Sequence, residues 1–151
     1  MKNFLNYLDK IPDKLRWVMV LPVSIFSFVL IGWISTFLSF INLPSSLITI
    51  FNNLLGHSLF VLLGVIIAPK YKFGVALILA IIMVTIVTLS IFFIIEDYLR
   101  LEDIVPEEDA NIIEPMKNLM EIEIIGKILA ILGAGYVTIM VKKHEKKFQN
   151  I

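Results

Sequence analysis

Residues 47–68 read LITIFNNLLGHSLFVLLGVIIA, and this stretch decides the fold. It holds no acidic residue, lysine or arginine, and as an α-helix it would reach about 33 Å at ~1.5 Å per residue. That length crosses the ~30 Å hydrocarbon core of a bilayer. The polar side chains of Asn52, Asn53 and His57 nevertheless lie near its middle. The stretch therefore predicts a membrane-spanning helix, one face of which is turned away from lipid.

The composition of the whole chain agrees with this interpretation. Of the 151 residues, 58% are hydrophobic, and the mean hydropathy is +0.90. Soluble domains are ~45–50% apolar, so much of this chain must have lipid as its solvent. The length suits a single transmembrane domain over residues 1–151. Because the chain has no cysteine, disulfides and thiolate metal sites are excluded, and the redox compartment is left open.

Long apolar runs predict an all-α integral membrane protein with four transmembrane helices, at approximately residues 17–40, 47–68, 75–95 and 122–141. In the first span Pro22 is expected to bend the helix. Small residues at positions 24, 32, 35 and 39 of that span share one helical face, which predicts a packing face. The third span has no ionisable residue and is expected to be the most exposed to lipid.

The charged residues predict how the chain is threaded through the membrane. Residues 1–16, the turn at 69–72 and the tail at 142–151 hold ten of the thirteen lysines and arginines, whereas residues 96–123 hold ten of the thirteen acids. Basic segments stay in the cytoplasm. We therefore predict a cytoplasmic N-terminal segment (1–16), an acidic extracytoplasmic loop (96–121) and a basic cytoplasmic tail (142–151), in the cell membrane (the plasma or inner membrane). The inner lysines either contact anionic lipids or only fix this orientation.

The second span contains the first candidate site. On a helical wheel Asn52, Asn53 and His57 lie on one stripe, and a polar side chain facing lipid would cost several kcal/mol. An ionisable residue inside the membrane is a functional hypothesis in itself, so the stripe is a candidate binding surface. The alternative is that these side chains hydrogen-bond to a neighbouring helix and hold the bundle together. A lone histidine, without a second imidazole or a carboxylate in any span, makes a poor metal site.

The fourth span contains a second candidate pair. Glu123 precedes Lys127 by four residues, which is the favourable order for an ion pair on a helix, here at the outer membrane interface. The alternative is that Lys127 binds an anion or a substrate. Gly126, Ala130, Ala134 and Thr138 recur every four residues and predict a close-packing helix face, used within the chain or between copies.

No catalytic residue, metal site or cofactor motif is present, and nothing indicates binding to nucleic acid, so we predict that the protein is not an enzyme. The favoured hypothesis is a non-enzymatic packing or interaction component of a membrane assembly, with a second copy or another membrane protein as partner. The alternative is a small oligomeric transporter or channel with a polar path lined by the second helix. Small four-helix multidrug exporters have a comparable layout, but the glutamate that defines their first span has no counterpart here.

Overall fold

A computed structural model describes residues 10–104 and 110–144. These residues form four α-helices and no strand: α1 (Asp13–Phe40), α2 (Ser45–Ile67), α3 (Lys72–Ile104) and α4 (Ala110–Lys143). Each helix is long and apolar enough to cross a membrane, which confirms the predicted four-helix membrane fold. One end of the bundle, hereafter the basic end, carries Arg16, Lys70, Lys72, Lys142 and Lys143. The opposite, acidic end carries Glu96, Asp97, Glu114, Glu121 and Glu123.

The helix bounds differ from the sequence prediction at the acidic end. Helices α1 and α2 begin and end within about one turn of the predicted spans, but α3 continues from residue 95 to Ile104, and α4 begins at Ala110. Residues 96–104 and 110–121, which belong to the predicted acidic loop, are therefore helical. The apolar spacing of residues 112–120 is compatible with a short surface helix within that loop, whereas nothing indicated a helix at 96–104. Residues 105–109 lie outside the described part of the chain. Hydropathy indicates where the chain leaves the lipid, but it does not indicate where the helix ends. Glutamate, leucine, methionine and lysine favour a helix in water as well.

Helices α3 and α4 are consequently much longer than the membrane is thick. Their 33 and 34 residues correspond to about 50 Å each at ~1.5 Å per residue, against a ~30 Å hydrocarbon core. Helix α4 runs unbroken through Pro115, although proline removes one backbone hydrogen bond. The extra turns form an acidic helical hairpin that extends beyond the shorter pair of α1 and α2.

The α1–α2 turn is closed by its backbone. The amide of Asn42 donates to the carbonyl of Ser39 at 3.1 Å, and the amide of Leu43 donates to that of Leu38 at 3.5 Å. These two bonds define a Schellman motif, which needs a residue with positive φ after the helix. Asn42 takes that place with φ 55°, and asparagine tolerates this conformation better than most residues. Pro44 follows and begins the approach to α2.

Helix α2 is the centre of the bundle, because it packs against all three other helices. At Gly64 the neighbours come closest: an added Cβ would clash with Leu79 of α3 and Ser24 of α1. The apolar core lies in the half of the bundle nearest the basic end and consists of Val20, Phe60, Val61, Val65, Ile67, Ala68, Val75, Ala76, Leu79, Met83, Ala134 and Val141.

The buried face of α1 only partly matches the predicted one. It consists of Arg16, Val20, Ser24, Ser27, Ile31 and Ser35. Ser24 and Ser35 thus lie on the packing face, but Gly32 does not, because an added Cβ there would meet no atom within 4 Å. Ser39 is also exposed. The contact face is centred near Ile31, so a residue one position further along points well away from α2.

Two expectations about packing are met. Helix α3 buries the smallest share of its apolar stretch, and the hydroxyls of Thr85 and Thr88 donate to carbonyls of their own helix, at 3.0 and 2.8 Å. On α4 the small-residue face is buried inside the bundle at Gly126, Ala130, Ala134 and Thr138. This face therefore packs within the chain.

Candidate functional site

Asn52 faces α1. The hydroxyl of Ser35 contacts the side-chain amide of Asn52 and lies 2.7 Å from the carbonyl oxygen of Ile31. A hydroxyl has one hydrogen to donate, so it cannot serve both oxygens at once. If the Asn52 amide is rotated by 180°, its NH₂ donates to the Ser35 hydroxyl while that hydroxyl donates to Ile31, and the conflict at Ser35 is removed. Asn52 is thus a polar link between α1 and α2.

Asn53 faces α4 instead. Its amide nitrogen donates to the carbonyl of Thr49 at 3.0 Å, one turn earlier on its own helix. A Cβ added at Gly126 would lie 2.9 Å from that nitrogen, so the asparagine rests directly on the α4 backbone. Small residues permit such a close approach of two helices in a membrane. The neighbouring asparagines of α2 therefore serve two different helix interfaces.

His57 lies between these two interfaces and is 8% exposed. Its Nδ1 is 2.6 Å from the carbonyl oxygen of Asn53. Because a carbonyl only accepts, Nδ1 carries the hydrogen, and Nε2 is the acceptor of the neutral ring. The ring meets Phe28 of α1 edge to face, with 5.4 Å between the ring centroids. His57 is thus held by its own backbone and by one aromatic neighbour.

The second predicted pair lies on α4, across from this stripe. The ammonium nitrogen of Lys127 is 3.6 Å from a carboxylate oxygen of Glu123, and the side chains are 14% and 45% exposed. Gly126, the residue before Lys127, lies directly against the side chain of Asn53. The structure therefore brings the two candidate sites of the sequence together, at the α2–α4 interface in the half of the bundle nearest the acidic end.

Two further contacts, which the sequence analysis did not select, complete this region. The hydroxyl of Ser27 donates to the carbonyl of Gly56 at 3.3 Å, which adds a polar link between α1 and α2. On the other side of α2, Ser58 and Leu54 pack against Gly133 of α4. Ser58 thus contacts the same helix as Asn53.

Arg16 is the most important residue that the sequence did not single out. It was counted only among the basic residues that orient the chain, but it is buried. Its Nε donates to the carbonyl of Ile67 at 3.0 Å, and an Nη reaches that of Ala68 at 3.5 Å. The guanidinium thereby satisfies carbonyls at the end of α2, where the helix dipole also favours a cation. One feature of the sequence indicates this burial: Arg16, Val20 and Ser24 are four residues apart and therefore share one face of α1.

The arrangement offers chemistry for packing more readily than for catalysis. Among the residues that the structure describes, no three metal-ligating side chains come together. Asn52, Asn53 and His57 each contact groups of their own chain: the Ser35 hydroxyl, the Thr49 carbonyl and the Asn53 carbonyl, respectively. A single imidazole acceptor can take up a proton or accept a hydrogen bond.

Four apolar helices around a polar but internally bonded centre define the class of this chain: it is a small multi-pass membrane protein with a four-helix bundle. Comparison with models of known protein families, with curated proteins and with solved structures found no match.

Proposed function

We propose that the protein is a non-enzymatic interaction component of a membrane assembly. The supporting observation is that the polar side chains of α2 contact groups of their own chain: Ser35 for Asn52, and the carbonyls of Thr49 and Asn53 for the other two. Polar residues engaged in this way stabilise helix packing, whereas a solute path needs polar groups that face water. The surface left for function is then the outside of the bundle.

The outer surface offers room for a partner. Helix α1 packs mainly against α2, and large side chains such as Trp33, Phe37 and Phe40 stay exposed along the rest of it. Lipid or another membrane helix can cover such a surface. We place the protein in the cell membrane with its basic end in the cytoplasm, where the lysines would contact anionic lipids at ~1 kcal/mol each.

Co-purification from native membrane in a mild detergent tests this proposal. We expect a partner, or a second copy of the chain, to be retained with the wild-type protein at a defined ratio. Extraction of the chain as a lone monomer in several mild detergents, with no partner after cross-linking in the membrane, would refute it.

One observation favours a second candidate, a small oligomeric transporter or channel. Glu123, Lys127 and His57 are ionisable and lie in the same half of the bundle. Glu123 is half-exposed, Lys127 is mostly covered and His57 is buried. Such a series is typical of groups that pass a proton or hold an ion within a membrane. Four spans enclose little space, so this function would need several copies around a shared path.

Flux measurements in liposomes separate the two candidates. In an interaction component, His57→Ala and Asn52→Ala lower the stability of the extracted protein by about 0.6–2 kcal/mol each, and neither wild type nor variant conducts. A proton or solute flux in the wild type that both substitutions abolish, with unchanged thermal stability, would favour the transporter. Val84→Ala, on the exposed face of α3, is the control for a substitution outside the polar region.

A further inference from the structure

The acidic hairpin contains a groove between α3 and α4, hereafter the α3–α4 groove. Its volume is about 240 Å³, and its apolar lining is Ile94, Tyr98, Met116, Leu119 and Met120. Leu119 is 60% exposed and Met116 is 39% exposed, although both lie several residues beyond the apolar span of α4, towards the acidic end. Exposed apolar side chains among charged ones, outside the hydrocarbon core, indicate a surface that another molecule covers.

The rim of the groove is acidic on both sides. Asp97 comes from α3 and Glu123 from α4. Glu96, Glu114 and Glu121 add negative charge to the faces of the hairpin that point away from the groove. Of the cations on this hairpin, Arg100 and Lys127 each form an ion pair with a glutamate of their own helix. Lys117 is exposed on α4, next to Met116, and the described acids of the hairpin still outnumber the three cations. An occupant of the groove must therefore bring apolar side chains for the floor and positive charge for the rim.

This requirement selects among the occupants available at a membrane surface. A second copy in the same orientation would bring its own acidic end to this level, because its Lys70, Lys142 and Lys143 lie at the opposite end of the bundle. Anionic lipid headgroups would be repelled by the negative charge of the rim. A basic amphipathic helix, in contrast, lies naturally in the membrane interface with its apolar side down and its lysines and arginines flanking it.

We propose that the α3–α4 groove binds a basic amphipathic helix of another protein at the extracytoplasmic membrane surface. Met116, Leu119, Met120 and Glu123 recur at the spacing of one helix face, so a third helix can pack along α4 with its apolar residues in the groove. Methionine adapts to the shape of different partners. Asp97 and Glu123 then pair with basic residues on the two sides of the bound helix. This proposal rests on the proposed function, because the α3–α4 groove would be the surface through which the protein holds its partner.

The test uses the full-length protein in nanodiscs of zwitterionic phosphatidylcholine and a fluorescent amphipathic helical peptide of leucine and lysine. A peptide with glutamate in place of each lysine, and nanodiscs without protein, report non-specific binding. We expect saturable binding of the lysine peptide to the wild type. Asp97→Asn/Glu123→Gln should weaken it about tenfold, or about 1.4 kcal/mol, since exposed ion pairs contribute up to ~1 kcal/mol each.

The matched control is Glu114→Gln/Glu121→Gln, which removes two acids from the opposite face of α4. It should leave the affinity within about twofold of the wild type. Because Glu123 also pairs with Lys127, Asp97→Asn alone and Leu119→Ser provide variants that keep this pair. Equal losses in groove and control variants, equal binding of the glutamate peptide, or no saturable binding would each overturn the assignment.

Co-purification distinguishes this outcome from failure of the proposed function. A native partner retained equally by the wild type and by Asp97→Asn/Glu123→Gln would leave the proposed function intact and refute the groove. Retention by the wild type and loss from the groove variant supports both.

Discussion

Gly133 and Gly135 lie two positions apart on α4 and face different surroundings. An added Cβ at Gly133 would lie 2.9 Å from Leu54 Cδ1 and 3.3 Å from the Leu54 carbonyl oxygen, and it would clash with Ser58, whereas one at Gly135 would meet no atom within 4 Å. A backbone carbonyl cannot move aside as the end of a side chain can. At the residue scale, the α2–α4 contact therefore depends on the absence of one methyl group.

Gly133→Ala should destabilise the bundle by about 1–3 kcal/mol, the usual cost of overpacking. Gly135→Ala should be neutral or stabilising, because alanine is the better helix former by up to ~1 kcal/mol. Thermal unfolding of the two variants in the same detergent measures the difference. Equal midpoints for the two variants would contradict the close α2–α4 contact at Gly133.

Arg16 supports a second prediction at this scale. Arg16→Met keeps an apolar stem of similar length but leaves the carbonyls of Ile67 and Ala68 without their charged donor. The free energy of unfolding should therefore fall by about 1.5–3 kcal/mol. Lys14→Met removes the same charge from an exposed position and should change stability by less than ~0.5 kcal/mol. Chemical unfolding in mixed micelles measures both; a similar small effect of the two substitutions would exclude a capping role.

At the scale of the element, α3 and α4 behave differently from α1 and α2. The first two helices end near the lipid boundary, and a Schellman motif at Asn42 joins them. The other two continue past the boundary as a hairpin, where water can satisfy any backbone group that the helix leaves open. Residues 96–100 and 114–121 of this charged segment are therefore helical without being buried.

Hydrogen exchange tests the helical hairpin. Amides of residues 97–100 and 117–121 should exchange more slowly than unstructured peptide, since each donates within a helix. Asp97→Pro would break α3 at this level and should abolish protection of the residues that follow it. Exchange at the intrinsic rate in the wild type would show that the acidic segment is a loop in solution.

At the scale of the whole molecule, the bundle has a polar half and an apolar half. The apolar core lies towards the basic end, around Val61 and Val65, and the polar contacts of Asn52, Asn53 and His57 lie towards the acidic end. Valine, alanine and a few larger apolar side chains fill the first half. In the second half hydrogen bonds and small residues hold α2 against its neighbours, as is common where lipid supplies no hydrophobic drive for association.

The orientation of the molecule is tested by single-cysteine labelling, for which the cysteine-free chain is a convenient background. Ser45→Cys should react with a membrane-impermeant maleimide on intact cells, and Gln149→Cys should react only after the membrane is opened. The reason is the concentration of lysine and arginine at the basic end. Labelling of Gln149→Cys on intact cells would show that the entire bundle has the opposite orientation.

The sequence by itself determined the class, the number of spans and their approximate positions, because the cost of placing charged or unpaired polar groups in lipid is large and can be read residue by residue. It also selected Asn52, Asn53, His57, Glu123 and Lys127. It could not decide which helix each of these faces, because that depends on how the helices cross. Nor could it find the cap formed by Arg16 on α2, 51 residues further along the chain, or the helical state of residues 96–104. Only the tertiary structure decides these features, because a hydropathy pattern records preference for lipid or water, whereas partners are set by the packing of distant segments.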